Sequence, residues 1–99
     1  MTPAVVGLLS PGDMGQAVAE LLMRGGVNVV TCLEGRSERT RTLARAAGIG
    51  DVPTLGDLVR EAPLVISIVP PAQAVAVARD VATALGTTGS TIVYVDCNA

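Results

Sequence analysis

The chain has 99 residues, of which 49% are apolar and 16% charged, and its net charge is −2. That length reads as one domain, the apolar content excludes intrinsic disorder, and the charge offers no basic footprint for a nucleic acid. It has no His, Trp or Phe, and all seven cations are Arg; a Ser–His–Asp triad, a His-ligated metal, a lysine Schiff base and a lysine general acid are therefore excluded from these residues.

In chain order the pattern alternates strand and helix. Ala4 to Leu9 is an apolar run without polar alternation, as a strand buried on both faces requires. Ser10-Pro11-Gly12-Asp13 breaks it. Met14, Ala17, Val18, Leu21 and Leu22 then fall on one helical stripe, ended by Gly25-Gly26. Val27 to Leu33 is a second strand, and Glu34 to Ser37 a turn. Ser37 caps a helix over Glu38 to Ala47, stopped at Gly48. Ile49 to Val52 is a short edge strand, and Thr54 caps a brief helix. Leu64 to Val69 is a strand stopped by Pro70-Pro71. Ala72 to Leu85 is a helix, apolar all round at Ala74 to Ala78 and so expected to be heavily buried. Gly86 to Ser90 is a loop and Thr91 to Val95 the last strand, with Tyr94 expected to pack in it. Alternation at this spacing predicts a Rossmann-type doubly wound parallel sheet. Its strand order is 3-2-1-4-5, in a single three-layer α/β domain over residues 1–99.

Cys32 and Cys97 fit no metal spacing, and no metal site is expected. No secretory leader is legible, so both thiols are expected to be reduced and buried on strands. The longest uncharged stretch, Ala62 to Ala78, is broken by Pro63, Pro70 and Pro71. A membrane span needs about 20 helical apolar residues. The expectation is a cytoplasmic protein without a membrane or nucleic-acid partner.

Two segments carry chemistry. Ser10, Pro11, Gly12, Asp13, Met14 and Gly15 join the first strand to the first helix, where a pyrophosphate site needs a tight turn, close backbone approach and close helix packing. Gly12 suits the approach and Gly15 the packing, and the helix N-terminus offers free N–H groups. Ser10 stands where the usual motif has its first glycine. The second segment follows the second strand, where Arg36, Arg39, Arg41 and Arg45 lie within ten residues. A guanidinium there matches the 2′-phosphate of NADP, and a carboxylate the 2′-hydroxyl of NAD. Arg36 with Ser37 is the predicted phosphate site, and Arg39 or Thr40 a second contact. Arg41 and Arg45 read as a solvated helix face. Glu34 keeps NAD open as the alternative to NADP.

The run from Gly7 to Gly15, Gly7-Leu8-Leu9-Ser10-Pro11-Gly12-Asp13-Met14-Gly15, followed by Ala19 and Leu22, resembles the N-terminal signature of the β-hydroxyacid dehydrogenase superfamily. That group includes 3-hydroxyisobutyrate and 6-phosphogluconate dehydrogenases, and imine reductases share its architecture. Gly35-Arg36-Ser37 is similar to the family's Asn-Arg-Thr, which marks NADP users. Leu64 to Pro71 resembles the fourth strand and its loop, implying that Val69, Pro70 and Pro71 wall the ribose and nicotinamide. Asp96-Cys97-Asn98-Ala99 is similar to the family's Asp-x-Ser-Thr, implying that Asn98 replaces a Ser that helps hold a substrate carboxylate. The resemblance covers essentially the whole chain. It implies an NADP-dependent oxidoreductase exchanging hydride with a small hydroxy acid or a related carbonyl or imine. The family continues with a helical domain that carries a catalytic Lys and the dimer interface. No residue of this Lys-free chain takes that role, so residues 1–99 alone are expected to be inactive. A stand-alone, non-catalytic dinucleotide-binding module is the other reading. A homodimer, through exposed apolar surface or through surface that this chain lacks, is a further expectation.

Overall fold

The computed structural model describes residues 4–9 and 13–97. The apolar runs become β1 (Val5–Leu9), β2 (Asn28–Cys32), β3 (Gly50–Val52), β4 (Leu64–Ser67) and β5 (Val93–Asp96). They pair in the order β3-β2-β1-β4-β5, every neighbouring pair parallel. This is the doubly wound Rossmann-type order that right-handed crossovers produce. The helices are α1 (Asp13–Arg24), α2 (Glu38–Ala47), α3 (Leu55–Glu61) and α4 (Pro71–Thr88).

Side-chain alternation along the strands separates two cores. On one face Leu8 and Val29 pack with Ala19 of α1 and Ala44 of α2. On the other, Leu9, Val52 and Val65 pack with Leu58 and Val59 of α3 and Val81 of α4. Tyr94 joins this second core. Gly7 lets α3 close on the sheet: a Cβ there would stand 3.2 Å from Leu58 Cγ and 3.3 Å from Ala62 Cβ.

Burial departs from the sequence expectation in two helices. In α1 the buried stripe is Gly15 and Ala19, with Leu22 packed alongside, whereas Met14 and Leu21 are 65% and 66% exposed. Met23, on one flank of that stripe, joins the core shared with α2. Met14 and Leu21 lie on the opposite flank. There the sheet face carries Leu64 and Ile66 of β4 beside the exposed Val93 and Val95 of β5. In α4 the run Ala74 to Ala78 is half-buried or exposed, and Val81 is the buried residue of that helix. Helix α4 also outruns its expected end at Leu85. The hydroxyls of Thr87 and Thr88 donate to the carbonyls of Thr83 (3.1 Å) and Ala84 (2.9 Å), and Gly89 caps the helix. Cys97 is exposed just beyond β5, and Cys32 is half-buried, so the expected pair of buried strand thiols is not what forms.

Thr31 of β2 is fully buried, and its Oγ1 has no hydrogen-bond partner among the described residues. A buried unsatisfied hydroxyl costs about 1–3 kcal/mol. The isosteric Thr31→Val is therefore expected to raise the urea midpoint, by about 1 kcal/mol of stability. A lower midpoint would show that the hydroxyl is partnered in solution.

Candidate dinucleotide cleft

A cavity of about 480 Å³ opens at the C-terminal ends of β1 and β2, on the α3 and α4 side of the sheet. Its floor is Leu9 and Cys32, the last residues of those strands, and Leu55 of α3 and Val77 of α4 add apolar walls. Glu34, Gly35 and Arg36 form one rim, and Gln73 and Asp80 of α4 are its polar residues on that helix. Open α/β sheets bind ligands beyond the carboxyl ends of their strands, and this cavity has that position. A second cavity, about 340 Å³, lies at the opposite end, by the strand starts Val5, Asn28 and Gly50.

The rim is built locally. Gly35 takes φ +75°, a left-handed turn that other residues adopt only with strain. The Arg36 N–H closes that turn on the Leu33 carbonyl at 2.9 Å. Ser37 then caps α2: its Oγ accepts from the Thr40 N–H at 3.2 Å and donates to Thr40 Oγ1 at 3.1 Å. The first turn of α2 starts directly beside Arg36, so the helix dipole adds to the guanidinium in favouring an anion. Arg36 is half-buried and Glu34 exposed. One rim thus holds both a cation suited to a 2′-phosphate and a carboxylate suited to a 2′-hydroxyl.

The other sequence-predicted positions that the structure describes lie at the start of α1 and after β4. Asp13 is the first residue of α1, with Gly15 buried and Met14 exposed one turn or less beyond it. Val69 is buried after β4, Pro70 caps α4 without a side-chain bond, and Pro71 is its first residue. None of these lines the cavity. Ser10, Pro11, Gly12 and Asn98 lie outside the described residues. Leu9, Cys32, Leu55, Gln73, Val77 and Asp80 line the cavity without having been singled out from the sequence. Leu9 and Cys32 end their strands and Leu55 and Gln73 stand near helix starts, whereas Val77 and Asp80 lie inside α4, where no local signal marks them.

Cys32 forms part of the floor, and its Sγ donates to the Pro53 carbonyl at 3.9 Å. Burial pushes its thiol above the ordinary range, with Glu34, Asp51 and Asp57 adding repulsion against the nearby Glu34 backbone bond, which pulls the other way. A raised acid holds its proton more tightly folded than unfolded. The stability it contributes is complete below the ordinary thiol value and is lost as pH rises through the folded one. Near neutral pH, iodoacetamide is expected to modify exposed Cys97 first and Cys32 slowly, read by peptide mass spectrometry. Faster labelling of Cys32 would contradict this assignment of its environment.

Fold and cleft together define an α/β domain of the dinucleotide-binding type. Residues 5–97 match the family described as NADP oxidoreductase, coenzyme F420-dependent, and the chain belongs to that family. An uncharacterized 28.5 kDa protein of Methanothermus fervidus is 32% identical over 74 residues, which is 75% of this chain and 29% of that protein. A conserved protein of unknown function, whose structure was described as similar to 3-hydroxyacid dehydrogenases, is 36% identical with a TM-score of 0.77. The match covers 95% of this chain and 34% of that one. A reductive aminase from Aspergillus terreus, solved with NADPH and ethyl levulinate, shares the fold at 17% identity and a TM-score of 0.70, over 98% of this chain and 32% of that one. The resemblance to hydroxyacid dehydrogenases agrees with the first of these structures, and the reductive aminase shows the shared fold. The chain spans about a third of the length of such relatives.

Proposed function

We propose that this chain is the NADP(H)-binding part of an oxidoreductase. The observation that carries the reading is the cavity at the C-terminal ends of β1 and β2, with Arg36 on its rim beside the capped start of α2. The apolar walls Leu9, Leu55 and Val77 suit an adenine ring, and Arg36 with Ser37 suits the 2′-phosphate. The loop Ser10 to Gly15 would hold the pyrophosphate at the start of α1. Val69, Pro70 and Pro71 would border the nicotinamide, and Asn98 would meet the substrate. When bound, the cofactor supplies hydride exchange, and the protein supplies orientation.

The hydride partner in this reading is a small hydroxy acid or a related carbonyl or imine. The family's description favours coenzyme F420 as a second candidate. A chain without Lys or His leaves proton transfer to other groups; in this reading they belong to further polypeptide, such as makes up the rest of the longer relatives. The open apolar face formed by β4, β5 and the flank of α1 is the surface that such polypeptide, or a second subunit, would cover. The two free thiols fit a cytoplasmic protein.

The chain has no Trp and one Tyr, so NADPH emission can be followed with little protein background. Titration is expected to show NADPH binding about tenfold or more tighter than NADH, as one charge-assisted phosphate pair would give. Equal affinities would overturn the NADP reading, and absence of both interactions would overturn the cleft reading itself.

A further inference from the structure

Arg41 is not a solvated helix residue. It is half-buried, and its Nε donates to the backbone carbonyl of Arg36 at 3.3 Å. That bond is the last of three along one short turn. The Leu33 N–H donates to Asp51 Oδ1 at 3.2 Å where the chain leaves β2. The Arg36 N–H crosses the turn to the Leu33 carbonyl. Arg41 then holds the Arg36 carbonyl from the first half of α2. Gly35 adopts its left-handed conformation without strain and many others as readily, so these bonds are what hold the turn in one shape.

We propose that Arg41 is a positioning residue for cofactor choice: by fixing the Arg36 carbonyl it sets the direction from which the Arg36 guanidinium enters the cleft. The proposal rests on the reading of that cleft as the NADP site. Arg41 acts in it as a fixed N–H donor, not as a charge, since its Nε is directed at a peptide carbonyl. A fork-shaped partner such as a phosphate needs the guanidinium it meets held in one orientation, and a misplaced fork loses one or both bonds.

The donor and charge roles separate by substitution. In Arg41→Gln the Nε2 amide stands the same number of bonds from Cα as the native Nε, without charge. Arg41→Lys keeps the charge but has carbon at that position. The test titrates the 99-residue chain with NADPH and NADH, using wild type, Arg41→Ala, Arg41→Gln, Arg41→Lys and Arg36→Ala. Arg41→Ala and Arg41→Lys are expected to weaken NADPH about five- to tenfold while NADH stays within about twofold. Arg41→Gln is expected to return NADPH to within about twofold of wild type. Recovery by Lys but not Gln would show Arg41 acting by charge and overturn the proposal. An equal loss for both dinucleotides would reduce Arg41 to a structural role and also overturn it. If Arg36→Ala weakens NADPH and Arg41→Ala does not, the positioning role falls and the cleft reading stands. If Arg36→Ala leaves NADPH unchanged, both fall.

Discussion

Arg36→Ala is expected to weaken NADPH binding about 10- to 100-fold and to leave NADH within about twofold. The range follows from the chemistry. A hydrogen bond to a charged group is worth about 1.5–3 kcal/mol net, and each 1.4 kcal/mol is tenfold in affinity. Arg36 sits half-buried on the cleft rim, where solvent screens it less than the exposed Arg39 and Arg45. Fluorescence titration at one fixed ionic strength measures both affinities, and Arg36→Lys adds a control. Lysine keeps the charge and loses the planar fork, so an intermediate affinity is expected. A parallel loss for NADPH and NADH would place Arg36 against a part that the two cofactors share.

The largest expected effect on stability is that of Leu58→Ala. Leu58 is fully buried in the core between α3 and the sheet, packed over Gly7 and beside Val65. Removing a fully buried leucine side chain from a close-packed site costs about 2–5 kcal/mol, through lost transfer energy and the cavity left behind. Against a total of about 5–15 kcal/mol for a native domain, that is a large share. Urea unfolding is expected to show a lower midpoint with an unchanged slope. Leu21→Ala is the matched control: Leu21 is 66% exposed, and its loss is expected to stay within about 0.5 kcal/mol. A comparable loss at both positions would mean that Leu21 is covered in solution.

That contrast also marks what the sequence discloses. Central strands of a parallel sheet leave apolar runs, so Ala4 to Leu9 and Leu64 to Val69 are visible without a structure, although the Leu64 and Ile66 face of β4 is only half-buried. The sheet order then follows from chain connectivity and the handedness of crossovers. Helix faces are harder to read. Leu21 and Leu22 are the same residue type one position apart, and only the position of the sheet beneath α1 decides which is packed. Ala74 to Ala78 is apolar all round, yet Val77 packs against the core while Val75 is exposed, an outcome that composition alone cannot separate from deep burial. At the cleft, Glu34, Arg36 and Ser37 are legible because they follow the second strand, a position with a defined role in this fold. Leu55, Gln73, Val77 and Asp80 arrive from distant helices, and no local spacing marks them. Arg41 looks like a solubilising charge in the sequence, because a side-chain bond to a backbone carbonyl five residues back has no sequence signature.

The most direct measurement is an amide-resolved NMR titration of the chain with NADPH and then with NADH. NADPH is expected to move the amides from Cys32 to Ser37 and those of Leu55, Gln73 and Val77, which surround the cavity at the strand ends. NADH is expected to move Leu55 and Val77 similarly, with much smaller changes at Arg36 and Ser37, where the 2′-phosphate would lie. Shifts centred instead on Asn28, Val30 and Gly50, at the opposite end of the sheet, would contradict the assignment of the cleft.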